Sequence, residues 1–224
     1  FSFGTVSIDN TGGTITGGTG GTGGAAQNAS ANGGAGGTGG VGLEYDNTTT
    51  LTNANVIEGG AGGTGGAGGA SGTGGNGGAG GVAVNITAAT TFTNNGTVTA
   101  GSGGSAGSGG TSGSAGSSGN AITGDNNAIT ITNTGSITGN ISMGTAVDTF
   151  NMNGGTITGN IDLGTGANVA SATKGTINGI FDIGAATADA TINPSSGNTV
   201  SFLNSGATAL ESTGLDFALS GAGT

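Results

Sequence analysis

Three ten-residue segments of this chain align without gaps, each beginning twenty residues after the last. They are Gly135-Ser-Ile-Thr-Gly-Asn-Ile-Ser-Met-Gly144, Gly155-Thr-Ile-Thr-Gly-Asn-Ile-Asp-Leu-Gly164 and Gly175-Thr-Ile-Asn-Gly-Ile-Phe-Asp-Ile-Gly184. Within them Ile137, Ile141 and Met143 match Ile157, Ile161 and Leu163, then Ile177, Phe181 and Ile183. Apolar residues alternate with polar ones, which is the period of a strand with one buried face. Gly139, Gly159 and Gly179 mark a corner between two such strands. A unit this short cannot bury its apolar face alone, so units must stack on one another. The expected fold is all-β, a β-solenoid of 20-residue rungs.

The unit continues upstream in interrupted form. Thr14-Ile15-Thr16-Gly17, Val56-Ile57-Glu58-Gly59 and Thr97-Val98-Thr99-Ala100 repeat the strand before the corner. The strand after it is read in Val41/Leu43, Val82/Val84 and Ala121. These landmarks lie 4 residues apart in an uninterrupted rung but 26, 25 and 23 apart upstream, so 22, 21 and 19 residues are inserted at one corner. On this alignment, 14 residues separate Leu43 from Ile57, Val84 from Val98 and Met143 from Ile157. Asn53, Asn94, Asn133 and Asn153 each precede an Ile or Val landmark by four residues, predicting a column of stacked Asn side chains.

The inserts, at about 17–40, 59–81 and 101–120, have a period of their own. Gly17–Gly24, Gly33–Gly40, Gly59–Gly69 and Gly74–Gly81 read Gly-Gly-X, with X mostly Ala or Thr. A three-residue period in glycine-rich chain suggests polyproline-II-type helices, whose backbone groups must find partners in neighbouring legs. Each insert divides into two Gly runs about a less regular middle such as Ala25–Asn32, so three hairpins are expected, packed as a six-legged bundle. Gly101–Gly119 is Ser-rich and less regular. The whole of 1–224 is read as one solenoid domain carrying this lateral bundle.

Composition excludes most chemistry. Glycine supplies 58 of 224 residues, and 11 acidic groups face one basic residue, Lys174, for a formal charge of -10. No His and no Cys means no imidazole base, no thiolate and no soft metal ligand. One cation cannot carry a phosphate-binding surface, so no nucleic-acid partner is expected. No run is long and apolar enough for membrane insertion. No catalytic, cofactor or metal residues are assigned. The chain starts at Phe1 rather than Met, which reads as a processed or excised piece.

Among acidic residues, Asp162 and Asp182 share a rung position but flank inward residues, so both should face solvent. Gly144-Thr-Ala-Val-Asp148-Thr-Phe150 faintly matches nonapeptide calcium repeats, yet Asn168 and Ala188 stand where further Asp would be needed. Asn-X-Thr/Ser sequons at Asn28, Asn47, Asn85, Asn95 and Asn140 are expected by accident in such a composition. Thr14/Thr16, Thr97/Thr99, Ser136/Thr138 and Thr156/Thr158 should form outward hydroxyl rows, interrupted by Val56/Glu58 and by Asn178.

At the ends, Phe1, Phe3, Val6 and Ile8 open the chain in strand fashion. Val200 and Phe202 read as one more rung, 19 residues after Phe181, and Leu215, Phe217 and Leu219 alternate near the end. Neither end shows the polar cap that stacked repeats ordinarily carry, and open strand edges are templates for pairing. Either caps lie outside this sequence or the ends join head to tail through these residues.

The Gly-Thr-Ile-Thr-Gly-Asn-Ile-Asp-Leu-Gly units resemble the degenerate repeats of bacterial autotransporter β-helix adhesins, best over residues 121 to 190. That resemblance implies a right-handed parallel β-helix, secretion, display on the bacterial cell surface, and adhesion or biofilm formation. Two features depart from it: the sequence holds no translocator barrel, and long glycine inserts are unusual in such passengers. The inserts look more like the polyglycine-II bundles of some phage fibre tips and an arthropod antifreeze protein. The expected function is a non-enzymatic extracellular structural or adhesive subunit, with itself or cell-surface and matrix components as partner. Alternatives are an adhesin binding surface glycans or proteins through its side, and ice binding through the Thr rows.

Overall fold

The computed structural model describes residues 10–184, 189–194, 198–203, 210–211 and 216–219, and in these there are strands and no helix. Every strand-to-strand pairing is parallel. The strands fall into three columns that the chain visits in turn. The first holds Thr14–Thr16, Val56–Glu58, Thr97–Thr99, Ser136–Thr138, the second halves of Thr149–Thr158 and Val169–Asn178, and Val200–Leu203. The second holds Leu43–Tyr45, Val84–Ile86, Asn120–Gly124, Asn140–Ser142, Ile161–Asp162, Phe181–Asp182 and Leu210–Glu211. In the third are Leu51–Asn53, Thr91–Asn94, Thr130–Asn133, the first halves of the two long strands, Asp189–Ile192 and Asp216–Leu219. Long parallel sheets revisited in this way are consistent with a β-helix-like fold.

The alternation decides what is buried. Ile57, Val98, Ile137, Ile157 and Ile177 form one inward row, in register. Val84, Ile122, Ile141, Ile161 and Phe181 form a second, and Leu51, Phe92, Ile131 and Phe150 a third. Burying each such side chain contributes about 1.5–3 kcal/mol. Phe150 and Phe181 close the centre edge to face, with ring centroids 5.5 Å apart at 61°. Between the first two columns the chain turns through left-handed backbone at Gly139, φ +118°, and Gly159, φ +141°.

The predicted Asn column forms for three of its four members. Asn53 Nδ2 donates to Asn94 Oδ1 at 2.7 Å and Asn94 Nδ2 donates to Asn133 Oδ1 at 2.8 Å, all three side chains being fully buried. Asn133 Nδ2 ends the ladder on Gly154 O at 3.1 Å. At the other end Asn10 Oδ1 accepts from Ala54 N at 2.8 Å, extending the column by a residue the spacing argument passed over. Asn153 is excluded. Its register slips at a bulge, so Met152 takes the place opposite Asn133 and Asn153 is exposed.

Two other expectations are corrected. Leu43 pairs with Val84, then Ile122, then Ile141, so it shares a row with Ile141 and not with Met143. Accordingly Val41 is 41% exposed, and the spacing to the next inward residue of the first column is 14, 14, 15 and 16 rather than uniform. A slip of two residues leaves every side chain on its own face, so alternation alone could not detect it. Val200 and Phe202 belong to the first column: Ile177 pairs with Phe202, and the residue above Phe181 is Leu210.

Candidate functional site

The ends of the columns are the first candidate. Thr14–Thr16, Leu43–Tyr45 and Leu51–Asn53 each pair with one neighbouring strand, on the side of the following coil. Val200–Leu203, Leu210–Glu211 and Asp216–Leu219 each pair with one strand, on the side of the preceding coil. Among the described residues both ends of all three columns therefore leave one row of backbone donors and acceptors without a strand partner. Phe217 and Leu219 lie on the last strand of the third column, in register with Ala190 and Ile192. Phe1, Phe3, Val6, Ile8 and Leu215, also expected at the ends, lie outside the described residues.

The second candidate is the lateral glycine-rich surface. Three loops leave the stack between the first and second columns, and each folds back into an outgoing and a returning leg. In the first loop Gly34, Gly37 and Gly40 N–H donate to Gly24, Gly21 and Gly18 O at 2.8, 2.7 and 2.7 Å. Successive outgoing legs bind side by side: Gly17, Gly20 and Gly23 donate to Glu58, Ala61 and Thr64, and Gly59, Gly62 and Gly65 donate to Thr99, Ser102 and Ser105. Returning legs do the same, Gly36 and Gly39 to Asn76 and Ala79, then Gly77 and Gly80 to Ser114 and Ser117. The two layers are stitched by Gly60, Gly63 and Gly66 donating to Gly40, Gly37 and Gly34, and so onward to Gly113, Gly116 and Gly119. Inside the bundle two residues of each triplet face other legs and the third points outward, as exposed Thr64 does; at its edges Thr19, Thr22, Ser102 and Ser105 also point outward.

Glycine is required wherever its Cβ would point at another leg. A Cβ on Gly20 would meet Gly37 O far inside van der Waals contact and Gly63 N at 2.7 Å. Where the lattice ends, the need ends. Ala115 and Ser118 occupy the positions of Gly77 and Gly80 in the last returning leg, beyond which no further leg follows. The less regular third insert is thus the outermost one, whose outer side is free to carry side chains. At the opposite edge a Cβ on Gly18, Gly21 or Gly24 would meet nothing within 4 Å. No charged residue occurs in 17–40, 59–81 or 101–120, so the charge of the chain lies on the stack and not on this surface.

Among the acidic residues, two register partners form turns and one is buried. Asp162 and Asp182 are register partners, and each accepts its own turn's N–H, from Gly164 at 2.8 Å and Gly184 at 2.9 Å. Among the described residues no three His, Cys, Asp or Glu groups come together as a metal site. Asp148 points inward and is 1% exposed. Its Oδ1 accepts from Ile129 N at 2.8 Å, while its Oδ2 is buried with no hydrogen-bond partner. Burial pushes this carboxyl up from 3.8 to about 6; the Ile129 N–H opposes that, and Asp125 adds to it. Asp148 and Asn168 match by position in the twenty-residue repeat, which puts them in one column, and the structure turns both side chains inward.

The Thr rows lie in register as expected, Thr14 beside Val56, Thr97, Ser136 and Thr156, and Thr16 beside Glu58, Thr99, Thr138 and Thr158. Glu58 interrupts the second row among half-exposed and exposed hydroxyls. No protein-family model, no curated protein and no solved structure matches this chain.

Proposed function

We propose that this chain is a non-enzymatic structural or adhesive subunit of an extracellular, cell-surface fibre or matrix. In this reading it is a right-handed β-solenoid with a polyglycine-II bundle on one side, and copies join head to tail. The observation that carries it is the row of strand edges that, among the described residues, have no strand partner at both ends of all three columns. A parallel stack whose two end faces display the same ladder can continue from one copy into the next. The likeness of the 20-residue units to autotransporter passengers supports surface display. The charge-free glycine surface supports packing against neighbours, since no like charges oppose its approach to another copy. A scarcity of aromatic and Arg anchors argues against tight capture of a soluble ligand.

Negative-stain electron microscopy over a range of concentrations tests this reading. Filaments of constant width are expected, and Phe217→Asp should shorten them while circular dichroism stays unchanged. Isolated short rods at every concentration would sink head-to-tail assembly and leave an adhesin acting through its side. Ice binding has the aligned Thr rows in its favour and Glu58 against it; measurable thermal hysteresis would raise it above the fibre reading.

A further inference from the structure

Asp148 and Asn168 occupy one inward column, and their first side-chain oxygens behave alike. Asp148 Oδ1 accepts from Ile129 N at 2.8 Å, and Asn168 Oδ1 accepts from Asp148 N at 2.8 Å. The second atom differs. Asn168 Nδ2 donates to Leu163 O at 2.8 Å and to Ile183 O at 2.9 Å, tying one turn to the next. By the repeat, the places of Leu163 and Ile183 around Asp148 fall to Met143 and Leu163, whose column positions match. The side chain there ends in Oδ2, buried and without a donor. An ionised oxygen in that place faces acceptors only, whereas a carboxylic acid supplies the missing O–H.

We infer that Asp148 is a proton-operated latch between successive coils. As a neutral acid it imitates Asn168, its O–H donating to a backbone carbonyl and closing the 143–148 turn on its neighbours. When the O–H bond breaks, the proton passes to solvent and the electron pair stays on a carboxylate that repels those carbonyls. The turns stacked on either side, 125–129 and 163–168, hold one further ionisable group, Asp125, whose negative charge also favours the neutral form. The upward displacement of the Asp148 carboxyl agrees with this geometry without being needed to draw it.

The test uses the whole chain, with 13C-labelled Asp for carboxyl titration and amide hydrogen exchange at Ile129 and Asp148. The Asp148 carboxyl signal should titrate about two pH units above an ordinary Asp, and the two amides should open about a hundredfold more often at pH 7.5 than at pH 4, after correction for intrinsic exchange. Asp148→Asn, which completes the Asn168 pattern, should abolish that difference. An ordinary carboxyl midpoint, or amides equally protected at both pH values, would overturn the latch. Should the variant fail to fold, titration of the native carboxyl decides alone.

Discussion

Gly20 and Gly21 are neighbours on one leg, neither has left-handed backbone, and yet the structure asks opposite things of them. Replacing Gly21 by Ala places a methyl where nothing lies within 4 Å. The folded state is undisturbed and the unfolded chain loses freedom, so the bundle should gain about 0.4–1 kcal/mol. Replacing Gly20 by Ala drives a methyl against Gly37 O and to 2.7 Å from Gly63 N. Overpacking costs about 1–3 kcal/mol. Parting the legs also weakens the bonds from Gly20 to Ala61 and from Gly37 to Gly21, each contributing about 0.5–1.5 kcal/mol. The loss of unfolded-chain freedom is common to both, so the two variants should differ by about 2–6 kcal/mol. Native-state hydrogen exchange resolves this at Gly37, Gly40, Gly60 and Gly63, whose N–H groups lie inside the lattice. Gly20→Ala should speed their exchange at least about thirtyfold, the equivalent of about 2 kcal/mol, while Gly21→Ala leaves it equal or slower. Equal behaviour of the two variants would refute the layered packing, because only the direction of the Cβ distinguishes them.

Asn94→Leu should cost about 2–4 kcal/mol in denaturant unfolding, since Asn53 Nδ2 and Asn133 Oδ1 both lose a buried partner; the exposed Asn153→Leu should stay within about 0.5 kcal/mol. Asp148 makes stability depend on pH with a definite sign. Its folded value is raised from 3.8 to about 6, so its contribution is whole below the unfolded value and is lost as pH rises through the folded one. The wild type should thus lose about 2 kcal/mol relative to Asp148→Asn between pH 4 and pH 7, read from denaturant midpoints at each pH. Phe150→Ala should cost about 3–5 kcal/mol in the same assay, because the ring is fully buried and packs on Phe181.

Much of the architecture could be read from particular residues. Ile137, Ile157 and Ile177 announced a stack because their spacing is constant and their neighbours alternate. The Gly-Gly-X runs announced paired legs, since a backbone so bare of side chains must satisfy its donors on other backbone. The candidate sites were less legible. Phe217 could be placed near an end, whereas the buried orientation of Asp148 could not, because a carboxylate among Thr and Val reads as a solvated turn residue.

What the sequence determined by itself is the repeat of strands and the faces they bury. Both follow from local period, two residues for a strand and three for an extended glycine leg, and local period survives in any window of the chain. The tertiary structure decided register and need. It set Leu43 beside Val84 in the row of Ile141, put Met152 where Asn153 was expected, and turned Asp148 inward onto Ile129. It also separated Gly20, which neighbouring legs require, from Gly21, which they do not. The physical reason is the same in each case: a two-residue slip, a one-residue bulge or the direction of a missing Cβ leaves the pattern along the chain unchanged, and acquires an energy only when the next coil is laid against it.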